Sequence, residues 1–193
     1  MATNKTLTDF KTALIGGGAR PNLFEVGITL PSDAATATGS QLPDKFLLLC
    51  KAANLPASNI ASIDVPFRGR TFKVAGDRTY DTWSITVIND NDFAIRKIME
   101  DWMQHIGQYQ DASGVTDPAQ YMASATVTQL SRSTSAMTAT SGSDIIDAKQ
   151  YTFQDIFPTN ISAIDLSFDS SDAIEEFTVE FQVNYWYPVG KSN

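Results

Sequence analysis

Alternation of apolar and polar residues is the strongest signal in this sequence. Between Glu176 and Tyr185, the residues Phe177, Val179, Phe181, Val183 and Tyr185 alternate with Glu176, Thr178, Glu180, Gln182 and Asn184. A period of two is the pleat of a strand with one face on a core and the other polar. Trp83, Ile85 and Val87 alternate in the same way with Thr82, Ser84 and Thr86. So do Ile164, Leu166 and Phe168 with Ala163, Asp165 and Ser167, and Phe24, Val26 and Ile28 with Glu25, Gly27 and Thr29. Ser62 to Val74 reads as two strands about a turn at Arg68-Gly69, where glycine tolerates the positive φ of a tight hairpin. Lys45 to Lys51 is a short apolar run that reads as a strand buried on both faces. Met122 to Leu130, rich in Ala and Thr, and Gln150 to Gln154 supply two further strands.

One substantial helix interrupts this pattern, over about residues 91–107. Ile95, Ile98, Met99, Trp102 and Ile106 recur at helical spacing, and Gly107 supplies a stop. Asn89-Asp90-Asn91-Asp92 offers N-cap groups and sets negative charge at the positive end of the helix dipole. A shorter helix is expected near Leu7 to Ile15. Residues 31–43 and 131–147, rich in Ser, Thr, Ala, Gly and Asp, read as loops. Gly16-Gly17-Gly18 reads as a joint between an N-terminal arm, residues 1–18, and the first strand. No internal repeat is visible. The expectation is a single mainly β domain, residues 1–193, with one flanking helix.

Composition narrows the function classes. The chain has 193 residues, 42% hydrophobic and 19% charged, which suits one globular domain. Its longest apolar run, Phe46 to Cys50, falls far short of a membrane span. Cys50 is the only cysteine and His105 the only histidine. No intrachain disulfide can form, and neither a cysteine-based nor a histidine-based zinc site can be assembled from these two residues. No G-x-S-x-G motif accompanies His105, which reads as a structural histidine on a helix flank. The glycine run is followed by Ala-Arg, not by the Lys-Ser/Thr of a phosphate-binding loop. Neither a catalytic constellation nor a cofactor site is expected.

The charge is uneven. Of a net −8, residues 112–193 carry ten acids against three basic residues. Such a surface repels nucleic-acid phosphate; it suits a channel through which DNA slides without sticking and equally serves simple solubility, and composition does not choose between them. Against this background Arg68, Arg70 and Arg78 cluster around the expected hairpin. They are either solvated or paired with carboxylates of a neighbouring subunit, which guanidinium forks favour. The strand beginning at Glu176 is longer than most and would be an edge liability in a monomer unless paired or covered.

Three stretches carry a resemblance to a known family. They are Ala19-Arg-Pro-Asn-Leu-Phe24, then Val74-Ala-Gly-Asp-Arg-Thr-Tyr-Asp-Thr-Trp-Ser-Ile-Thr-Val-Ile-Asn-Asp90, and Pro158-Thr-Asn160 running to Tyr185-Trp186. With Cys50-Lys51-Ala52 and Leu55-Pro56, the chain resembles the tail tube proteins of T-even-type contractile phages, collinearly over most of residues 19–187. The resemblance implies a β-barrel or sandwich with a flanking helix, whose strands continue across subunits in a hexameric ring. Rings stack into a tube within a contractile sheath, and the genome passes through it. It also implies a non-enzymatic virion protein, assembled in the host cytoplasm without a cofactor or membrane. Its partners would be further copies of itself, the tail sheath protein, and baseplate and tail-terminator proteins. Phage DNA would cross the lumen without sequence-specific binding. Arg68, Arg70, Asp77 and Arg78 are then candidates for subunit or ring contacts, and Glu176 and Glu180 for channel-facing acids. The chain departs from the pattern in longer segments at 31–43 and 131–147 and in a tail, YPVGKSN, after Trp186. Two other readings remain: the inner tube of a phage-derived injection or type VI secretion device, and a monomeric β-sandwich binding module.

Overall fold

A computed structural model describes residues 6–13, 19–37, 42, 44–111, 113–130, 149–169 and 172–189. The elements in chain order are α1 (Leu7–Ala13), β1 (Phe24–Thr29), α2 (Ser32–Ala37), α3 (Lys45–Leu49), β2 (Cys50–Ala53), β3 (Ser58–Phe67), β4 (Arg70–Tyr80), β5 (Trp83–Ile88), α4 (Ala94–Ile106), α5 (Pro118–Tyr121), β6 (Ala123–Gln129), β7 (Lys149–Ile161) and β8 (Glu176–Val189). Six strands form one antiparallel sheet in the order β1-β6-β7-β8-β5-β2, while β3 and β4 pair only with each other. The sheet curls until its edge strands β1 and β2 approach one another, with α3 packed against both. The result is a nearly closed barrel with a hairpin projecting from it.

Alternation sets which residues fill the barrel. Val26 and Ile28, Trp83, Ile85 and Val87, Ala123, Ala125 and Val127, and Phe177 through Val183 at every second position are all buried. Trp83 stacks on Phe153 at 4.9 Å and tilts against Phe181 at 5.2 Å between ring centroids. Helix α4 adds Ile95, Ile98, Met99 and Trp102 to the same core. The Trp102 indole N–H, buried with its ring, donates to the Tyr121 carbonyl at 2.8 Å, so its polar atom is satisfied. Burial pushes the Cys50 thiol up to about 12, which leaves it protonated and unreactive in the core.

In β7 the alternation skips a residue. Gln154 and Asp155 together oppose Ser124 of β6, and Asp155 has φ 55°. This two-against-one bulge lets Phe153 and Ile156, three apart, both face the core.

Two strand expectations fail. Lys45 to Leu49 is helix, not a doubly buried strand. Phe46 is buried and Leu49 half-buried, whereas Leu47 and Leu48 are exposed, so the inward spacing is three, that of a helix face rather than of a regular strand. Ile164, Leu166 and Phe168 alternate without forming a strand; they lie in the connection from β7 to β8, where no strand among the described residues pairs with them. The segment 31–43, expected as loop, contains α2 in its described part. The segment 131–147 and the Gly16–Gly18 joint lie outside the described residues. The capping of α4 is also shifted. Its N-cap position is Phe93 in a left-handed conformation, and the Asp90 carboxylate accepts from the Ala94 N–H at 3.1 Å. No helix among the described residues is long and apolar enough to cross a membrane.

Candidate assembly surfaces

The β3–β4 hairpin is built from ten and eleven residues about a two-residue turn. Arg68 and Gly69 have φ 45° and 83°, the left-handed pair that a primed turn requires to match the strand twist. Directly opposed residues share a face, so register assigns the sides. Ile63 opposes Val74, Val65 opposes Phe72, and Phe67 opposes Arg70. That face is apolar with an arginine at its tip. The reverse face carries Asp64 opposite Lys73, whose charged groups lie 3.1 Å apart.

The apolar face is uncovered. Phe67 and Phe72 are 66% and 65% exposed, and Ile63, Val65 and Val74 are partly or largely so. A two-stranded ribbon is marginal in water on its own, and a contiguous exposed apolar face marks an interaction site. This hairpin therefore needs a cover that the described residues of a single copy do not provide.

All four expected contact residues lie on it. Arg68 and Arg70 sit at the tip, with the Arg68 guanidinium 5.5 Å from the centre of the Phe67 ring. Asp77 and Arg78 lie towards the base, near the far end of β4 from the turn. The structure thus brings these residues onto one projecting element, but in two groups. The aromatic members Phe67 and Phe72 were not singled out in the sequence, although their spacing about the turn gave the signal. At the base, Tyr80 packs edge-on against Trp186, which also meets Tyr151.

Glu176 and Glu180 occupy the outward, polar face of β8 with Thr178 and Gln182. Glu180 opposes Ser84, and Glu176 opposes Ile88. Glu176 also accepts from Lys51 Nζ at 2.5 Å, which ties β8 to β2 across β5 and partly neutralises this acid. Glu180 is exposed and has no ion pair among the described residues. The same face carries Ser84, Thr86 and Ile88 on β5, Phe157 of β7 opposite Gln182, Ser124, Thr126 and Thr128 on β6, and Glu25 and Thr29 on β1, a hydroxyl-rich wall with scattered acids and apolar residues.

A third surface is the connection between β7 and β8. Residues 162–176 contain five acids and no basic residue. Leu166 and Ile174 are exposed on it, and Phe168 is fully so. Its two arms enclose an open cleft of about 320 Å³, lined by Ile164, Leu166, Ile174 and Glu175 among others.

A small curled barrel with two edge strands and an amphipathic hairpin uncovered among the described residues is suited to self-association. The comparisons with known proteins agree. The sequence model of the phage tail tube protein family matches residues 19–188. The tail tube protein gp19 of Enterobacteria phage T4 is 36% identical over 172 residues, covering 89% of this chain and 92% of the relative. The tail tube protein of Serratia phage KSP90 is 26% identical over 179 residues, covering 92% and 93%. Among solved structures, a chain of the anti-feeding prophage baseplate superposes with a TM-score of 0.60 at 10% identity, covering 90% of this chain and 96% of that one. That likeness concerns the fold. This chain belongs to the phage tail tube protein family.

Proposed function

We propose that this protein is the self-assembling subunit of the inner tube of a contractile phage tail, six copies closing each ring and the rings stacking into a conduit for DNA. The observation that carries this reading is the β3–β4 hairpin, whose apolar face lies bare among the described residues of one copy. Further copies supply the cover, and the edge strands of the barrel sheet find partners in the same assembly. Membership of the tail tube family supports the virion setting, with sheath, baseplate and terminator proteins as neighbours of the finished tube. Arg68, Arg70, Asp77 and Arg78 serve the contacts between copies.

The outward face of β8 fits the lining of the bore. Its hydroxyl and amide groups are wettable, and Glu176 and Glu180 repel phosphate, so DNA slides without adhering. Electron microscopy of the purified full chain tests the assembly. Rings and tubes are expected, and a monomer near 21 kDa at every concentration is the result that overturns it. Charge reversal of Glu176 and Glu180 to Lys in the virion tests the lining. Tails should form, with slower genome ejection; unaltered ejection kinetics remove these two acids from the bore.

A further inference from the structure

The hairpin and the acidic β7–β8 connection leave the barrel at opposite ends of one strand. Strand β5 begins at Trp83, three residues after the hairpin ends, and finishes at Ile88, which pairs with Glu176 where the connection ends. These points are roughly 17 Å apart, five steps of about 3.3 Å. The hairpin base lies on the far side. Tyr80 packs on Trp186, five residues beyond Phe181, the partner of Trp83, in the direction away from Glu176. The two features therefore leave the barrel at opposite ends.

They are complementary in two respects. The hairpin, residues 58–80, carries four basic and two acidic side chains in a chain of net −8, whereas residues 162–176 carry five acids and nothing basic. Arg68 and Arg70 at the tip hold no ion pair among the described residues, and neither do Asp165, Asp169 and Asp172. The apolar parts match as well. Phe67 and Phe72 flank the arginines, while Leu166 and Ile174 line an open cleft with Asp165, and the exposed Phe168 lies beside Asp169 in the same connection. Aromatic anchors beside unpaired guanidinium groups are the usual makings of an interface centre, and here the facing surface has the opposite charge.

We propose that the hairpin tip of one copy docks into the β7–β8 connection of a copy in the next ring. Phe67 and Phe72 enter the cleft, and Arg68 and Arg70 pair with Asp165, Asp169 and Asp172. This rests on the tube reading above and adds the identity of the partner surface. Two different patches at opposite ends make a heterologous contact, which repeats without closing and so extends a stack.

The test uses the full chain with Arg68→Glu plus Arg70→Glu, with Asp169→Lys plus Asp172→Lys, and with all four changes together. Sedimentation reads ring formation, electron microscopy reads stack length, and circular dichroism verifies the fold. Each double variant is expected to form rings of normal mass while its stacks shorten at least tenfold on average. The fourfold variant, with its charges exchanged, is expected to regain stacks within about twofold of the wild-type length. Rings of the two double variants, assembled separately and then mixed, should stack in alternation, because one junction is then the native contact and the next the charge-exchanged one. Normal stacks from the Asp169→Lys, Asp172→Lys variant overturn the proposal. So does loss of rings in a folded double variant, which places the contact within a ring, and so does a fourfold variant no better than the worse double. Failure of the wild-type chain to form rings at all counts instead against the tube reading.

Discussion

Replacing Phe72 by alanine isolates the role assigned to the hairpin. Aromatic side chains expose about 150–250 Å² when free, and this ring is 65% exposed in one copy, which leaves roughly 100–160 Å² for a partner to cover. At about 25 cal/mol per Å² that cover amounts to roughly 2.5–4 kcal/mol. Alanine retains part of the contact, so the loss per hairpin docked is roughly 2–3 kcal/mol. With about 1.4 kcal/mol per factor of ten, Phe72→Ala should raise the concentration needed for assembly roughly 30- to 100-fold. The unassembled subunit should scarcely notice, because the ring has little to lose in a single copy; a melting shift below about 4 °C is expected. Pelleting across a dilution series gives the threshold, and thermal melting of the dilute protein gives the control. An unchanged threshold, or a large fall in subunit stability, refutes the view that this ring is reserved for another copy.

Two further changes probe the subunit itself. Phe153→Ala removes a fully buried ring stacked on Trp83 and should cost about 3–5 kcal/mol, lowering the melting temperature of the unassembled chain by roughly 6–20 °C. The Asp90 carboxylate is held below its ordinary 3.8, first by the hydrogen bond from Lys45 and also by the Ala94 N–H. A depressed folded-state value stabilises the fold above about pH 3.8, and that contribution is lost as pH falls through the folded value. Asp90→Asn should therefore melt lower than wild type at neutral pH and lose less on acidification to about pH 3; parallel melting curves across that range exclude this pair as a contributor.

Much of the barrel was legible because its strands are buried on one face only. The outward Thr178, Glu180 and Gln182 against the inward Phe177, Val179 and Phe181 write the burial of β8 directly into the sequence, and β1 and β5 follow suit. The same period misleads at Ile164, Leu166 and Phe168. Alternation reports a side-chain pattern that a strand can use, but a strand also needs a neighbour to bond, and none among the described residues is present there. The run Phe46 to Cys50 had no period to read, so helix and strand were indistinguishable until Phe46 was seen to face inward and Leu48 outward.

The assembly surfaces were legible only in part. Arg68-Gly69 announced the turn through the conformational freedom of glycine, and the arginines announced themselves against an acidic chain. The hairpin's separation from the main sheet was not visible, because nothing local distinguishes a strand pair that joins a barrel from one that projects. For the same reason Phe67 and Phe72 drew no notice in the sequence, and only their exposure on the projecting hairpin marks them as interface candidates. The misplaced strand around Leu166 became, once seen as a connection, the acidic and apolar surface that the hairpin can meet.

The central claim is that the hairpin's bare face is covered by another copy. Hydrogen exchange of residues 58–80, compared between the dilute subunit and the assembled protein, measures this most directly. At least a tenfold slowing of exchange across this segment on assembly is the predicted result; equal exchange rates in the two states would contradict it.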